Sequence, residues 1–489
     1  MKVLIVIPPE NPEDWSISIK DVRNVLPALP SLGVGYIASF LKSKGVDVAI
    51  LDAYAEGLNI ESTSKRVKGL GPDIVGFSVL TPGVPMSLKL AETLKNNNEN
   101  ITVVFGGIHP SLMPDETLKN PNVDFVVRGE GEITFYELVK ALEKNKSDVE
   151  NIKGISYMKN GAIRHNPDRE FIRDLDSLPY IDWEMFPMDK YRCLPHWKVS
   201  EPFYPMITSR GCPAQCTFCS LSTQGKVNRS RSPKNVVDEI ENLVNRNKAK
   251  QILVLDASFP VSKERAFELF DEIIKRGLNK KVAWTCETRV NFVDLPLMKR
   301  MREAGCRKIA FGIESGVQEL LNNVKKGFKL DTVRNAVKNA KEAGLEVIAF
   351  YMFGLPGETI EMSKKTIEFA IELNTDIATF SLTVPYPGTE LYEQIKKEGV
   401  LKSIDWEKYS SLGSMTPYEP VYVPEGMTKE ELVFIQKQAI KKYYFRPKMI
   451  LLHFKKIRSF SDFMKYFNTF ITILKGFFLK NGAHLRLKP

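Results

Sequence analysis

Short runs of β-branched residues alternate with amphipathic stretches along most of the chain, and this alternation restricts the fold more than any other feature. Within residues 1–145 the runs are bounded by Gly, Pro or Asn, as buried strands are. The stretches between them carry apolar residues at helical spacing. Strands and helices in this order form a parallel sheet with helices on both faces. We therefore expect a doubly wound, Rossmann-like α/β domain with strands at 3–7, 46–52, 73–80, 101–107 and 123–129.

The pattern breaks between residues 146 and 195 and then resumes. The break contains a predicted hairpin with Asn160 and Gly161 at its turn, a pair that suits type I′ geometry, and a stretch rich in Pro and Asp, so we interpret it as a linker. Residues 196–420 then repeat the strand–helix unit six times. This repetition predicts a partial (β/α)6 barrel of the TIM type, with its active site at the carboxyl ends of the strands. The six predicted strands are 205–209, 252–256, 282–286, 308–313, 347–354 and 376–384.

The composition is typical of a globular protein of about three domains, because 43% of the 489 residues are apolar and 26% are charged. No stretch of 18 apolar residues runs without a charge, so we expect no transmembrane helix. The apolar run at 3–7 is too short for a signal peptide. These features predict a cytoplasmic protein.

The net charge of +10 resides in a basic carboxyl-terminal region, residues 421–489, which has 14 Lys and Arg against 4 Asp and Glu. Apolar residues recur there at helical spacing, as at Met449, Leu452, Phe454 and Ile457, so we expect amphipathic helices. Such helices either lie peripherally on the inner membrane surface, with the cations toward anionic headgroups, or pack on the barrel. A nucleic-acid partner is disfavoured, because the aromatic residues belong to no recognisable RNA-binding module.

Three of the six cysteines crowd into one loop after the first predicted barrel strand. Cys212, Cys216 and Cys219 have C-x3-C-x2-C spacing. Three thiolates at this spacing can hold an iron–sulfur cluster and leave one iron open to a further ligand. A structural zinc site would bring a fourth Cys or His at short range, and the next one along the chain is Cys286. The spacing therefore favours a cluster over zinc or over unrelated buried cysteines.

The loop resembles the signature of radical S-adenosylmethionine (SAM) enzymes, including the aromatic Phe218 just before the third cysteine. Four further segments fall in the order of that family's barrel motifs, at 284–290, 311–316, 353–358 and 384–392. The resemblance implies a [4Fe-4S] cluster on Cys212, Cys216 and Cys219. It also implies that the open iron chelates SAM, and that an electron from the reduced cluster cleaves SAM to a 5′-deoxyadenosyl radical.

The same resemblance assigns residues to SAM. Glu314 would accept a hydrogen bond from a ribose hydroxyl, while Arg289 and Ser315 would orient the methionine end. Gly354 and Pro356 belong to a segment whose backbone would lie against a flat ring, since glycine has no Cβ to block it.

One position departs from the family pattern. Relatives often carry two consecutive acidic residues where this chain has Asp256 followed by alanine, so Asp256 alone is the candidate partner of the SAM amino group. Glu314 has an alternative interpretation as a satisfied polar group inside the barrel. We expect the other three cysteines, Cys193, Cys286 and Cys306, to be small core residues.

Two strand ends of the first domain resemble those of cobalamin-binding domains. The third strand ends in an S-x-L pattern with Ser78 and Leu80, and the fourth ends in Gly106 and Gly107. Residues 127–132 resemble the segment that closes this domain in cobalamin-dependent radical SAM enzymes. The resemblance implies that the glycine backbone lies against the nucleotide tail of cobalamin and that Ser78 hydrogen-bonds to it.

The loop that supplies a lower histidine ligand in other cobalamin proteins, D-x-H-x-x-G, does not follow the first strand. We therefore expect base-off cobalamin without that histidine. His109, directly after the glycine pair, is either a hydrogen-bonding group or a cobalt ligand. The alternatives for the whole domain are a flavin or no ligand, and the missing G-x-G-x-x-G fingerprint argues against a dinucleotide.

These resemblances predict a cobalamin-dependent radical SAM enzyme that methylates an unactivated carbon. Because relatives of this architecture include a tetrapyrrole-ring cyclase and hopanoid methylases, we expect a hydrophobic or lipid-like substrate. The electron donor would be a reduced protein such as ferredoxin or flavodoxin. Two alternatives stay open: oxidative, cyclase-type radical chemistry without methyl transfer, and a non-catalytic cobalamin or iron–sulfur sensor.

Overall fold

The computed structural model contains both strand–helix blocks and the start of the basic region. It describes residues 1–9, 28–144, 148–194, 196–220, 223–401, 404–411 and 419–456. Each block forms its own mainly parallel sheet. The basic region from residue 457 onward, including the predicted helix positions there, lies outside the described residues.

The first sheet consists of β1 (Lys2–Ile7), β2 (Asp47–Asp52), β3 (Ile74–Ser78), β4 (Thr102–Gly106), β5 (Phe125–Val127), β6 (Ile155–Lys159) and β7 (Ala162–His165). Their order across the sheet is β2–β1–β3–β4–β5–β6–β7, and the first five are parallel. The strand order reverses between β1 and β3. Ligands bind at such a reversal, just outside the carboxyl ends of the strands.

Helices cover both faces of this sheet. In the described residues they are α1 (Leu32–Ser43), α2 (Ala53–Glu56), α3 (Ile60–Leu70), α4 (Val84–Asn97), α5 (Ile108–Leu112), α6 (Pro114–Leu118) and α7 (Gly131–Glu143). Val3 and Ile5 of β1 join the core under α1 and α7, while Leu4 and Val6 join the core under α3 and α4. A strand that is buried on both faces needs apolar residues at every position, which explains the uninterrupted apolar run in β1.

Strands β6 and β7 form the hairpin that the sequence predicts. Asn160 and Gly161 have φ angles of 52° and 76°, the left-handed conformation that a type I′ turn requires. Strand β6 also pairs antiparallel with β5, so the hairpin extends the first sheet. The hairpin therefore belongs to the first sheet, whereas the sequence analysis placed it in a linker.

The second block forms β8 (Phe203–Met206), β9 (Ser209–Arg210), β10 (Arg229–Ser230), β11 (Gln251–Val254), β12 (Ala283–Thr288), β13 (Cys306–Glu314), β14 (Glu346–Phe353) and β15 (Ile377–Leu382). Strands β8 and β11 to β15 make one sheet in which each strand pairs in parallel with the next. Strands β8 and β15 are its two edges, which confirms the partial barrel. Strands β9 and β10 pair antiparallel and bracket the cysteine loop.

The barrel helices are α8 (Pro233–Asn245), α9 (Lys263–Lys275), α10 (Leu295–Glu303), α11 (Gln318–Asn323), α12 (Leu330–Glu342), α13 (Ile360–Leu373) and α14 (Glu390–Lys397). Several begin at a residue whose side chain accepts a hydrogen bond from the first turn, such as Ser232, Asp294 and Thr359. Each such cap ends a loop that started at the carboxyl end of a strand. The loops at the mouth of the barrel are therefore anchored at both ends.

The basic region begins with α15 (Lys429–Tyr444) and α16 (Pro447–Lys456). Helix α15 starts at a capping box of Thr428 and Glu431 and packs against α13 and β15. Leu432 is buried there, and the Gln436 side chain donates a hydrogen bond of 2.8 Å to the Phe380 carbonyl. This part of the basic region therefore packs on the barrel. Among the described helices, none is both long and apolar enough to cross a membrane.

Replacing Leu432 by alanine tests the packing of α15. Leu432 is fully buried against Gly354, so a shorter side chain leaves a cavity. We expect urea unfolding of the barrel to show a loss of about 3 kcal/mol in the free energy of unfolding. The matched control is Phe434→Ala on the exposed side of the same helix, where the change should stay below about 0.5 kcal/mol. Equal losses in the two variants would contradict the packing.

Candidate active site at the carboxyl edges of the sheets

The cysteine loop leaves β9 through a backbone position that suits only glycine. Gly211 has a φ of 81°, and a Cβ there would lie 2.2 Å from the carbonyl oxygen of Val227. The Cys212 N–H donates to the Gly225 carbonyl at 3.3 Å. The outgoing and returning arms of the loop therefore lie against each other at its base.

The three predicted cluster ligands all lie on this loop. Cys212 is buried, and Cys216 and Cys219 are half-buried. The Cys216 sulfur accepts a hydrogen bond from Arg289 Nη1 at 3.2 Å, and the Cys212 sulfur lies 4.0 Å from Ser258 Oγ. Within the described residues, no three His, Cys, Asp or Glu side chains converge as a set of metal ligands.

The donor set of the loop fits a [4Fe-4S] cluster. The three thiols belong to one irregular segment of the chain. Sulfur is the ligand that iron–sulfur clusters take, and the Arg289 guanidinium places a positive charge beside Cys216, where it can offset the negative charge of a bound cluster.

Arg289 is buried and held from several sides. Its Nη2 donates to the Lys326 carbonyl, and the guanidinium lies 5.7 Å from the centre of the Phe292 ring and 5.5 Å from that of Phe328. Aromatic rings stabilise a cation that burial alone would penalise. In the described residues Arg289 Nε has no hydrogen-bond partner. Arg289 thus brings a buried charge and an unused N–H beside the cysteine loop.

Glu314 ends β13 in a conformation that is rare for a residue with a side chain. Its φ is 68°, and β13 loses register with β14 at this point. The carboxyl oxygen Oε1 lies 3.0 Å from Lys326 Nζ and folds over Gly312, where a Cβ would lie 2.8 Å from it. The strained backbone and the glycine together direct the carboxylate into the mouth of the barrel.

Sequence reasoning did not identify Lys326. Its ammonium group is buried, paired with Glu314, and lies 5.7 Å from the ring centre of Phe218, the predicted aromatic residue of the cysteine loop. The available signal was a Lys-Lys-Gly sequence at 325–327, which begins eleven residues after Glu314. Lys326 links Glu314 to the cysteine loop.

Asp256 is fully engaged by the chain just before the cysteine loop. Its carboxyl oxygens accept hydrogen bonds from the Thr208 N–H at 2.6 Å, the Thr208 hydroxyl at 2.7 Å and the Ser209 hydroxyl at 2.6 Å. Burial raises the pKa of Asp256, and these hydrogen bonds oppose that rise. Asp256 thus fastens the end of β8 to the end of β11.

Ser315 directs its hydroxyl away from the mouth of the barrel. The hydroxyl lies 3.1 Å from Thr366 Oγ1 on α13 and accepts a hydrogen bond from the Val317 N–H. These contacts hold the turn after β13 against α13. Any contact of this residue with SAM would have to come from its backbone.

The segment after β14 is a closed loop around one carboxylate. Glu358 accepts hydrogen bonds from the Gly354 and Leu355 N–H groups at 2.7 and 2.9 Å and from the Ser363 hydroxyl at 2.6 Å. Gly354 has a φ of 84°, which glycine adopts without strain. Burial raises the pKa of Glu358 to about 7. The loop presents Pro356, half-buried, at the mouth of the barrel.

Glu287 is a second residue that sequence reasoning did not identify. It lies on β12, and Arg289 is the first residue after that strand. Burial, the charge of Glu314 and, in the opposite direction, the charge of Lys326 set its pKa, which rises to about 7. The spacing of two from Arg289 was the available signal.

The ends of β3 and β4 lie against each other at the edge of the first sheet. Gly107 has a φ of 97°, and a Cβ there would lie 2.8 Å from the backbone nitrogen of Val79. The Val79 N–H donates to the Gly106 carbonyl at 2.8 Å. Ser78 ends β3 half-buried, and Leu80 next to it is 60% exposed. The edge thus presents bare backbone and one large apolar side chain.

His109 is buried at the same edge. Its Nδ1 lies 3.3 Å from Thr81 Oγ1, and its ring packs edge-on against Trp406 with ring centres 4.9 Å apart. Burial lowers the pKa of His109 to about 4, so the imidazole is neutral at pH 7. Its Nε2 has no hydrogen-bond partner among the described residues.

The carboxyl edges of the two sheets face each other. The Trp406 side chain, from the segment after β15, contacts His109 and donates a hydrogen bond to Glu116. Gly388, also after β15, lies so close to Leu112 that a Cβ would be 2.5 Å from a leucine methyl. Loops that follow β15 and loops that follow β4 therefore meet, which places the two predicted cofactor edges opposite one another.

Comparison with known proteins assigns both halves. The family described as "B12 binding domain" matches residues 20–139, and the family described as "Radical SAM superfamily" matches residues 206–370. A relative from Pyrococcus horikoshii, described as an uncharacterized methyltransferase, is 37% identical over 92% of this chain and 94% of its own length. The chain belongs to the cobalamin-binding radical SAM family.

A further relative and a solved structure are also similar to this radical SAM enzyme. An anaerobic magnesium-protoporphyrin IX monomethyl ester cyclase of Rubrivivax gelatinosus is 30% identical over 83% of the chain and 72% of its own length. The fold is that of the radical SAM methyltransferase TsrM from Kitasatospora setae, with a TM-score of 0.70, 17% identity and coverage of 92% and 90% of the two chains.

Family membership confirms the cofactors expected from the sequence, namely a [4Fe-4S] cluster, SAM and cobalamin. It also confirms that the chain is an enzyme, so the sensor alternative is dropped. A radical SAM enzyme needs a reductant and a substrate.

The raised pKa of Glu287 makes stability depend on pH in a defined direction. An acid whose pKa is higher in the folded chain binds its proton more tightly there, so stability falls as the pH rises from about 4.5 to about 7. In cofactor-free protein we expect Glu287→Gln to match the native chain at pH 5 and to be more stable at pH 7.5 by about 1–3 kcal/mol. Thermal unfolding at the two pH values measures this difference, and equal pH profiles would contradict it.

Proposed function

We propose that this radical SAM enzyme transfers a methyl group to an unactivated carbon of a hydrophobic substrate. The observation that carries the proposal is the opposition of the two carboxyl edges, at His109 with Trp406 and at Leu112 with Gly388. A substrate between these edges is reached from one side by the SAM domain and from the other by the cobalamin domain. The similarity to a methyltransferase over nearly the whole chain supports the same reaction.

Different residues at the mouth of the barrel bind the cluster and SAM. Cys212, Cys216 and Cys219 bind the cluster, and Arg289 balances its negative charge. Glu314, oriented by its ion pair with Lys326, accepts a hydrogen bond from the ribose of SAM. When bound, the reduced cluster and SAM supply a 5′-deoxyadenosyl radical, and cobalamin supplies the methyl group.

Other residues of the barrel contribute packing and hydrogen bonds but take no part in the reaction itself. The loop of Gly354 and Pro356 lines the adenine, and Phe218 packs beside Lys326. Asp256 and Ser315, whose hydrogen bonds are taken by neighbouring parts of the chain, hold the loops on which the binding groups lie.

The first sheet holds base-off cobalamin at the ends of β3 and β4. The backbone of Gly106 and Gly107 lies against the nucleotide tail, since no side chain covers it, and the Ser78 hydroxyl bonds to the tail. His109 is neutral and buried, so its unpaired Nε2 serves as a hydrogen-bonding group at this edge. Leu80 packs on the apolar surface of the cofactor.

The hydrophobic substrate is inferred from an exposed apolar side chain at the mouth of the barrel. Leu255 follows β11 and is 41% exposed. Large apolar residues at strand ends that face a cleft remove water from a reacting carbon and favour an apolar ligand. Reduced ferredoxin or flavodoxin supplies the electron.

A second candidate reaction is oxidation without methyl transfer. The 30% identity to an anaerobic cyclase favours it specifically, because that relative spans most of this chain. The same edges and the same cluster loop serve either outcome. In the oxidative reaction the substrate loses electrons and gains no methyl group.

Anaerobic reconstitution with iron, sulfide and cobalamin tests the proposal. With SAM labelled in its methyl group, a reductant and a panel of tetrapyrrole and isoprenoid substrates, we expect 5′-deoxyadenosine, S-adenosylhomocysteine and a product that carries the label. Cys216→Ala should lower 5′-deoxyadenosine formation by at least about 100-fold, because the cluster loses a ligand. Cys193→Ala, a buried cysteine outside the loop, is the control and should retain activity.

Two results would decide against methyl transfer or against the site. Formation of 5′-deoxyadenosine together with an oxidised, unlabelled product would show the cyclase-type reaction instead of methylation. Formation of 5′-deoxyadenosine that persists in Cys216→Ala would show that this loop does not bind the cluster.

We also propose that the protein is cytoplasmic and contacts the inner membrane surface peripherally through the basic region. The outer side of α15 and α16 exposes large apolar residues and lysines together, a combination typical of helices that lie at an anionic lipid surface. These residues are Phe434, Phe445, Ile450 and Leu451 with Lys441, Lys442 and Lys448.

Sedimentation with vesicles tests the membrane contact. We expect the full-length protein to bind phosphatidylglycerol vesicles and to bind phosphatidylcholine vesicles weakly. The double variant Phe434→Ser, Ile450→Ser should bind anionic vesicles about tenfold less, because two apolar groups are lost. Phe267→Ser, an exposed aromatic residue on α9, is the control and should bind like the native chain. Equal sedimentation of the double variant and the native chain would contradict the contact.

A further inference from the structure

Two arginines bracket the cysteine loop at its base. Arg210 ends β9, two residues before Cys212, and Arg229 begins β10 where the chain returns. The two are direct partners in the antiparallel pairing of β9 and β10. Like charges directly opposite each other destabilise such a pair. The ribbon that closes the loop therefore needs negative charge from elsewhere.

That charge comes from the other domain. Glu130 Oε1 lies 3.1 Å from Arg210 Nη1 and 2.9 Å from Arg229 Nη2, and Glu130 Oε2 lies 3.0 Å from Arg229 Nη1. Glu132 Oε1 lies 2.6 Å from Arg210 Nη2. Glu130 is the N-cap residue of α7 and Glu132 lies in the first turn of that helix, so both carboxylates belong to the cobalamin domain. One carboxylate thus holds both arms of the cluster loop at once.

The four side chains are almost completely enclosed, with exposures between 3% and 10%. The guanidinium of Arg210 lies 5.2 Å from the Tyr36 ring centre, which removes it further from water. Burial alone would raise the pKa of Glu130, but the hydrogen bonds and charges of the two arginines hold it below its usual range. Buried ion pairs rarely add stability over apolar packing, so their value lies in a defined geometry.

The position of Glu130 supports a role in orienting the two arginines at the base of the cysteine loop. It stands at the N-cap of α7, yet its side chain makes no capping hydrogen bond to the helix. Instead Oε2 accepts a hydrogen bond of 2.7 Å from the Ile172 N–H, which fixes the carboxylate toward the barrel. The Glu130 carboxylate therefore makes its contacts outside its own helix.

We propose that Glu130 and Glu132 are positioning residues by which the cobalamin domain holds the cysteine loop closed. The inference rests on the proposed binding of the cluster by Cys212, Cys216 and Cys219. Neutralising Arg210 and Arg229 keeps the two arms paired, and the paired arms fix the base of the loop on which the three cysteines lie. The cluster loop is thereby shaped by the domain that carries the second cofactor.

The test measures the loop in full-length, cofactor-free protein, so it does not depend on catalysis. Pulse labelling with N-ethylmaleimide, read by peptide mass spectrometry, gives the rate at which Cys212 becomes accessible. We expect Glu130→Gln to raise the Cys212 rate about tenfold, because the opposed arginines are left unneutralised. The rate at Cys193, buried outside the loop, should not change. The matched control is Glu137→Gln, which removes a half-exposed carboxylate from the same helix.

A double variant separates charge repulsion from the loss of a contact. Adding Arg229→Gln to Glu130→Gln removes one of the two opposed cations, so we expect the Cys212 rate to return to within about threefold of the native rate. Glu132→Gln, which removes only one contact of Arg210, should raise the rate less than Glu130→Gln and serves as the alternative if Glu130→Gln does not fold.

Several outcomes would overturn the proposal. They are an unchanged Cys212 rate in Glu130→Gln and Glu132→Gln, faster labelling of Cys193 together with Cys212, or faster labelling in the double variant than in the single one. Iron content and the electron paramagnetic resonance spectrum after reconstitution form a separate readout. If the native chain takes up no [4Fe-4S] cluster, the proposed function fails while the labelling result still decides on the loop.

Discussion

The contact between the carboxyl edges of two parallel sheets is the constraint on which the rest of this molecule depends. In a parallel sheet every strand ends at the same edge, so the loops that carry polar and irregular residues collect there. Here the loops after β4 meet those after β15, at His109 with Trp406 and at Leu112 with Gly388. Each carboxyl edge therefore contacts residues that its own sheet does not supply. The proposed reaction places the substrate between these two edges.

Buried charges lie close to the cysteine loop at the mouth of the barrel, and each charge has a specific neighbour. Lys326 pairs with Glu314, and Arg289 lies between the Cys216 sulfur and two aromatic rings. Charges are costly to bury, so such pairs persist where a fixed orientation matters. The strained backbone at Glu314 also indicates a fixed orientation. A left-handed conformation at a glutamate is maintained only when the surroundings enforce it.

The hairpin and the start of the basic region support this arrangement. The hairpin of β6 and β7 widens the first sheet next to the turn that carries Glu130. Helix α15 places Leu432 against Gly354, so the start of the basic region supports the loop after β14. The inner side of that helix is therefore part of the barrel, and its outer side with Phe434 is available for other contacts.

The sequence alone determined the elements and the chemistry that depend on local pattern. Short β-branched runs and helical spacing predicted both sheets and the partial barrel. Asn160 and Gly161 specified the hairpin turn. Three closely spaced cysteines indicated the cluster and hence the family. Such features are visible in a sequence because each is decided within about twenty residues.

Only the tertiary structure decided which distant groups meet. The pairing of Lys326 with Glu314, the engagement of Asp256 by Thr208, and the contact of Glu130 with both arms of the cysteine loop each join separate elements. Their partners are set by sheet register and by the docking of one sheet edge on another, and neither leaves a periodic trace in the chain. The same reason explains why the hairpin joined the first sheet, since strand pairing depends on which edge is exposed nearby.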